Sequence, residues 1–172
     1  MSYQPQNFRN HVPWHRDLGH LECDVARMGD DFGPDLHELL PERDQRPHVK
    51  SMVINPGHGL YDAFGGIHHL YANKLAVDGY RNGKFPDGAI IVFDLLDTKS
   101  ADNAIEEGGR KVVGVMHKDS KRYAATGGWG FEGFKGDSHT ERAVTQKAAG
   151  EACFACHKAR GEQSFVFSAL RQ

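Results

Sequence analysis

Two cysteines and a histidine near the C-terminus carry the clearest chemical signal in the sequence. Residues 153–157 read Cys-Phe-Ala-Cys-His, the C-x-x-C-H attachment motif for c-type haem. On a helix, Cys153 and Cys156 stand at i and i+3 and His157 at i+4, so all three project from one face. The thiols then reach two porphyrin vinyl groups as thioethers, and the imidazole becomes the proximal iron ligand. The sequence therefore predicts one covalently attached haem c, with His157 as the metal ligand.

Two other uses of a C-x-x-C pair fit this sequence less well. A thioredoxin-like dithiol opens a helix after a buried strand, whereas Cys153 follows the sequence Ala-Ala-Gly-Glu-Ala. A zinc site needs further ligands, and a second C-x-x-C is absent from the sequence. The third cysteine, Cys23, is spare, and we expect a free thiol there, with an intersubunit disulfide as the alternative.

The composition excludes several classes of protein. The 172 residues correspond to about one domain. With 21 Lys and Arg against 23 Asp and Glu, the formal charge of −2 excludes a basic nucleic-acid footprint and a polybasic membrane anchor. The longest apolar stretch, residues 89–93, is far below the roughly 20 residues of a membrane span. We therefore expect neither a nucleic-acid nor a membrane partner.

The chemistry of haem attachment predicts the compartment. Thioethers to haem form on the far side of a bacterial inner membrane, so we expect a periplasmic protein. Residues 1–10 are polar and contain no hydrophobic segment. We therefore expect that a signal peptide has been removed from this sequence.

The elements that must position the motif are mostly strands. We expect strands over residues 49–55, 67–72, 89–96, 111–117 and 164–170, and a glycine- and aromatic-rich turn leading into a strand over 126–134. Asn73 should cap a helix that ends at Asn82 before Gly83. We also expect a short helix over residues 34–40 and a longer helix over residues 145–159. Without regular βαβ alternation, this order predicts an α+β fold that is mainly antiparallel sheet.

The domain organisation follows from where these elements lie. Residues 1–48 are polar and interrupted by prolines, which predicts an irregular N-terminal wrap. Residues 49–172 contain the strands and the haem motif, which predicts a haem domain. No linker separates the two segments, so we expect one globular domain overall.

Asp94 is the candidate catalytic residue. It interrupts the apolar strand of residues 89–96, where an unpaired carboxylate would be costly to bury. One interpretation is that it forms a salt bridge with a neighbour or lies near the exposed end of the strand. The other is that it faces the open side of the haem and transfers protons there.

Other side chains invite a metal or haem interpretation. His68 and His69 are adjacent in a strand and point to opposite faces, so they cannot easily chelate one ion. We expect structural roles for both, with a distal haem ligand as the alternative, and the same holds for Met116 and His117. The aromatic side chains of residues 128–133 are expected to pack in the core, although they could also flank a haem.

Four further segments accompany the haem motif: Tyr-Ala-Asn at 71–73, Phe-Pro-Asp-Gly at 85–88, a stretch over 118–131 that contains Thr-Gly-Gly-Trp-Gly, and Phe-Val-Phe-Ser at 165–168. With the motif, they resemble the cytochrome P-460 and cytochrome c-prime-beta family over about residues 49–172. The resemblance implies an antiparallel sheet packed over the haem, usually in a homodimer. It also implies a five-coordinate iron, with His157 on one side and an open or apolar-capped site on the other.

Two behaviours occur in that family. Its enzymatic members oxidise hydroxylamine, with a lysine bonded to the porphyrin rim and a distal carboxylate that takes up protons. Its non-enzymatic members bind nitric oxide under an apolar cap. Here Asp78 stands where the resemblance places the cross-linking lysine. Lys74, one helical turn away, is the candidate cofactor-binding lysine, with Lys84 second; the other interpretation, which we favour for each, is a solvated surface lysine. Asp94 matches the distal carboxylate.

Three functional hypotheses follow. The first is a cytochrome that binds nitric oxide or a related small nitrogen species at an open site. The second is a hydroxylamine-oxidising enzyme with a lysine cross-link and Asp94 as proton acceptor. The third is an electron carrier whose sixth ligand is Met116, His117 or His69. A redox partner cytochrome is a possible protein partner.

Overall fold

The computed structural model describes residues 47–144 and 146–171. Its main feature is a six-stranded antiparallel sheet in which the strands follow one another in chain order. The strands are β1 His48–Ile54, β2 Gly66–Ala72, β3 Ile90–Ala101, β4 Ala104–Lys118, β5 Trp129–Lys135 and β6 Arg142–Val144. The helices are α1 Tyr61–Phe64, α2 Lys74–Asn82 and α3 Gln146–His157, with 3₁₀ turns at Ala124–Thr126 and Lys158–Gln163. The predicted α+β, mainly antiparallel fold is confirmed.

The sheet has two faces with different surroundings. One face, which we call the helix face, is marked by a cross-strand row of Ala72, Ile91, Met116 and Phe131. The other, which we call the opposite face, is marked by the neighbouring row of Tyr71, Val92, Val115 and Glu132. Ala76 and Val77 of α2 and Ala149 of α3 pack in the core on the helix face. Two of the three helices therefore cover the same side of the sheet.

Helix α2 begins and ends at the residues expected from the sequence. The Asn73 Oδ1 accepts hydrogen bonds from the backbone N–H groups of Ala76 at 2.9 Å and Ile90 at 3.0 Å. The Asn73 Nδ2 donates to the Gly88 carbonyl at 2.8 Å, and Gly83 ends the helix in the left-handed conformation, with φ of 73°. One asparagine therefore caps α2 and joins it to the turn that precedes β3.

The structure corrects several predicted elements. Residues 164–170 do not form a strand, since Ser164 and Phe165 have φ angles of 54° and 65°, outside the extended region. Strands β3 and β4 run past their predicted ends, because a two-residue turn at Asp102 and Asn103 lets the hairpin continue pairing. Helix α1 and strand β6 were not predicted. The expected helix over 34–40 and the wrap over 1–48, apart from residues 47 and 48, lie outside the described residues.

Within residues 47–144 and 146–171, no helix is both long and apolar enough to span a bilayer.

Candidate functional site

Helix α3 presents the two cysteines and the histidine together. Cys153, Cys156 and His157 lie in its last two turns, as the sequence predicted, and all three are half-buried. The Cys153 side chain packs against the core on the helix face, together with Phe154. The helix therefore holds two thiols and an imidazole at the surface of the sheet core.

The His157 imidazole is fixed by one hydrogen bond and two aromatic rings. Its Nδ1–H donates to the Phe165 carbonyl at 2.6 Å, because a carbonyl oxygen can only accept. Its ring lies 5.1 Å from the Phe131 ring and 4.9 Å from the Phe167 ring, centroid to centroid. Burial lowers the pKa of His157, and the Phe165 bond opposes that shift. The neutral tautomer with a proton on Nδ1 leaves the Nε2 lone pair for a metal.

The helix face next to Phe131 is apolar and aromatic. Phe93, Gly114 and Gly133 form the cross-strand row beside it, and a Cβ at Gly114 would be 3.3 Å from the Phe93 ring. The Phe93 ring also makes edge contacts with His68 at 4.8 Å and Phe64 at 6.0 Å, between centroids. This part of the sheet can cover an apolar ligand or a porphyrin face, and it contributes no carboxylate.

The donor set fits a haem better than a bare metal ion. Among residues 47–144 and 146–171, no group of three or more His, Cys, Asp or Glu side chains could hold a metal ion. A haem iron does not require such a group, because the porphyrin supplies four nitrogens and the protein one axial ligand. Cys153 and Cys156 are the residues that would hold the porphyrin, and His157 would bind the iron.

Asp94 lies on the opposite face, away from His157. It is three residues from Ile91 along a regularly paired strand, and an odd separation places the two side chains on different faces. Its carboxylate accepts from Arg110 Nε at 2.7 Å and Nη2 at 3.1 Å. Arg110 also pairs with Asp137, and the Asp94 contact is the main cause that raises the pKa of Arg110. The structure therefore does not bring Asp94 to the haem motif and gives it a salt bridge instead.

Both candidate lysines are exposed at the surface. Lys74 Nζ lies 2.8 Å from the Asp78 Oδ2, and the Lys74 side chain is 87% exposed. Asp78 also contacts Arg81, and its pKa is lowered chiefly by the Lys74 hydrogen bond. Lys84 is exposed in the segment after α2. The structure therefore shows a surface ion pair at Lys74, and it places neither lysine in the core around Cys153.

The candidate sixth ligands divide between the two faces. Met116 lies on the helix face beside Phe131, whereas His69 and His117 lie on the opposite face. His69 Nδ1 is 2.6 Å from the Ser51 hydroxyl and its Nε2 is 2.6 Å from Glu107 Oε1. Of the three residues considered for this role, only Met116 shares a face with His157.

Because of His68, we expect the free energy of unfolding to decrease in acid. Its side chain is buried and bonds the Phe64 carbonyl. Burial lowers its pKa below 6.5, the Phe64 hydrogen bond opposes that shift, and the nearby Lys111, His58 and His69 add to it. Because the unfolded chain then binds the proton at higher pH than the folded chain, the free energy of unfolding falls as pH drops below about 6.5.

The matching variant is His68→Gln, measured by urea denaturation over a pH series. This variant should reduce the dependence of the unfolding free energy on pH below about 6.5, by at most about 1.4 kcal/mol per pH unit for one proton. Replacing the exposed His139 with Gln is the control and should leave the slope in place. An unchanged slope in His68→Gln would show that the lowered pKa of His68 does not contribute.

Sequence reasoning missed the Phe167 ring and the Phe165 carbonyl, and it offered the segment that contains Phe131 as a flank of the haem only as the alternative to core packing. The Phe131 and Phe167 rings and the Phe165 carbonyl surround His157, although the last two follow it by several residues. The aromatic residues of the 128–133 and 165–168 segments were visible as motifs. A backbone carbonyl leaves no signal in a sequence, so the Phe165 contact could not be found there.

The fold and the donor set together define a class: a haem protein in which a helix with thiols and an imidazole packs on an antiparallel sheet. Comparison with protein families matches residues 43–168 to Cytochrome P460, and the chain belongs to that family. The resemblance stated from the sequence is thereby confirmed, and the protein is a haem protein. No curated protein matches the chain.

Proposed function

We propose that this protein is a mono-haem c-type cytochrome that binds nitric oxide or a related small nitrogen species at an open iron site. The observation that carries the proposal is the His157 imidazole, whose Nδ1–H is bonded to a carbonyl so that Nε2 is left for the iron. When bound, the haem supplies one open coordination position for a diatomic ligand. Cys153 and Cys156 hold the porphyrin, and His157 supplies the proximal ligand.

The surroundings of the site favour ligand binding over hydroxylamine oxidation. An oxidase needs a distal carboxylate to take up protons. Asp94, the candidate for that role, lies on the opposite face and is paired with Arg110. Phe131 packs against the His157 ring, and Phe93 lies in the neighbouring cross-strand row of the same face, so the sheet beside the imidazole is apolar. Hydroxylamine oxidation remains the alternative, and electron transfer with Met116 as sixth ligand is the second.

The test is an optical titration of the purified, reduced protein with nitric oxide and with carbon monoxide. A high-spin five-coordinate spectrum that changes with both gases supports the proposal. A ferrous protein that binds neither gas contradicts it, and a six-coordinate low-spin spectrum would favour the electron carrier. Steady-state hydroxylamine oxidation with an artificial electron acceptor would favour the enzyme.

We also propose a periplasmic location and a homodimer, as the resemblance and the attachment chemistry imply. Cell fractionation tests the location, since a haem-loaded protein found only in the cytoplasm contradicts it. Light scattering after size exclusion tests the dimer, and the mass of a single chain contradicts it.

The Asp94→Asn variant separates a structural from a catalytic role. We expect it to lose about 2 kcal/mol of unfolding free energy, because the half-buried Arg110 then keeps only Asp137, which is largely exposed, as a charged partner. Nitric oxide affinity should stay at the parent value, because Asp94 lies on the opposite face. Urea denaturation and a gas titration measure the two effects. A variant as stable as the parent but altered in ligand binding would place Asp94 in the site.

The Lys74→Met and Lys84→Met variants test the cross-link. We expect both to keep the intact mass expected for one bound haem and the ferrous Soret position of the parent, since both side chains are exposed. Lys99→Met, an exposed position on β3, is the matched control. A parent Soret band far to the red that returns to an ordinary position in one variant would identify a lysine bonded to the porphyrin.

A further inference from the structure

We propose that Trp129 and Gly127 are positioning residues for His157. They hold the turn at Ser164 and Phe165, whose backbone aims the Phe165 carbonyl at the His157 Nδ1–H. Through that hydrogen bond, they set the orientation of the imidazole and its strength as an iron ligand. The proposal rests on haem ligation by His157, as proposed above, and does not depend on which gas the iron binds.

The turn has an uncommon backbone conformation. Ser164 and Phe165 are both non-glycine residues in the left-handed region, with φ of 54° and 65°. Two such residues in succession persist only where surrounding contacts hold them. The Ser164 and Phe165 N–H groups donate to the Gly161 and Arg160 carbonyls at 3.1 and 2.8 Å. These bonds fix the start of the turn, and the Val166 N–H, which shares a peptide group with the Phe165 carbonyl, donates to the Gln163 carbonyl at 3.1 Å. They leave the carbonyl side of the Ser164–Phe165 peptide group to other contacts.

Trp129 supplies the contact on that side. Its indole Nε1–H donates to the Ser164 carbonyl at 2.9 Å, and its side chain is fully buried. The Ser164 carbonyl belongs to the peptide group that joins Ser164 to Phe165. A hydrogen bond to this oxygen therefore fixes the plane of that peptide group. The orientation of this plane in turn helps to set the direction of the next carbonyl, that of Phe165. The Phe85 ring, 5.4 Å from the indole, holds Trp129 in place.

The Phe165 ring packs against Gly127. A Cβ at Gly127 would lie 2.3 Å from Phe165 Cε2, so the ring packs directly on glycine backbone. Gly127 also has a φ of 64°, which side chains rarely adopt. The indole and this glycine therefore constrain the turn from its backbone and from its side chain.

These contacts lead to His157, the proposed iron ligand. The Phe165 carbonyl lies 2.6 Å from His157 Nδ1, a short hydrogen bond. A partner at this nitrogen fixes the ring orientation and raises the basicity of Nε2 toward the metal. Loosening the turn should weaken that bond, so the iron–histidine bond should weaken and the reduced iron should be favoured.

The experiment compares holoprotein of the parent, Trp129→Phe and Tyr80→Phe. Trp129→Phe keeps an aromatic ring but removes the N–H. Tyr80→Phe is the control, because it keeps the aromatic ring and removes a hydroxyl that bonds the Ser168 hydroxyl at 2.7 Å in the same C-terminal segment. We expect Trp129→Phe to lower the iron–histidine stretching frequency of the ferrous protein and to raise the midpoint potential. Tyr80→Phe should keep both parent values.

Parent values in Trp129→Phe, or an equal change in Tyr80→Phe, would overturn the proposal. Gly127→Ala, which displaces the Phe165 ring, should change both quantities in the same direction and decides the matter if Trp129→Phe does not fold. A parent protein without haem, or without an iron–histidine band, would instead refute the proposed function. The two failures are therefore distinguishable.

Discussion

The Cys153→Ala, Cys156→Ala double variant is expected to contain no covalently bound haem. Each thiol supplies one thioether, and α3 places the pair one turn apart on the same helix. Without them, only the iron–His157 bond would hold the cofactor, and that bond breaks when the protein unfolds. The measurement is the intact mass after denaturation, where the mass of one haem should be present in the parent and absent from the variant.

Three kinds of control variant make this result specific. Each single cysteine variant keeps one thioether and should retain a fraction of the attached haem. Cys23→Ser removes the cysteine outside the motif and should still show the added mass of one bound haem. His157→Gly should keep the thioethers but lose the axial ligand, so its spectrum changes while its mass still includes the haem. Haem that survives denaturation in the double variant would contradict attachment through these cysteines.

The Gly66→Ala variant is expected to show the largest loss of stability among the point variants considered. Gly66 begins β2, is buried and has a φ of 128°, a region that is essentially restricted to glycine. An added Cβ would lie 2.1 Å from the Leu96 backbone oxygen of β3. The backbone of a central strand cannot move aside cheaply, so we expect a loss of about 3 kcal/mol or more by urea denaturation.

Gly57→Ala separates the two causes of that loss. Gly57 also has a positive φ, 92°, but nothing lies within 4 Å of the position its Cβ would occupy. It should therefore lose only the conformational part, about 1–2 kcal/mol. Equal losses in the two variants would mean that the contact with Leu96 adds nothing and that the strands adjust to accept it.

The sequence by itself determined the local features of this protein. The C-x-x-C-H spacing puts its three side chains on one side of any helix, since the period of a helix is fixed by its backbone hydrogen bonds. Asn73 and Gly83 delimit α2 because capping and left-handed termination depend on a few neighbouring atoms. The strands were recognisable as apolar segments between turn residues, and together with the resemblance they were enough to predict the antiparallel sheet.

Only the tertiary structure decided which side chains meet. The sequence left open whether the Asp94 carboxylate acts at the haem site or forms a salt bridge. The register of β3 with β4 places Arg110 beside Asp94, on the face away from His157. Residues 164–170 alternate like a strand, yet contacts with Trp129 and Gly127 accompany a left-handed turn at their start. Such pairings join residues that are distant along the chain, through contacts that no local pattern encodes. The carbonyl that orients His157 therefore became visible only in the folded chain.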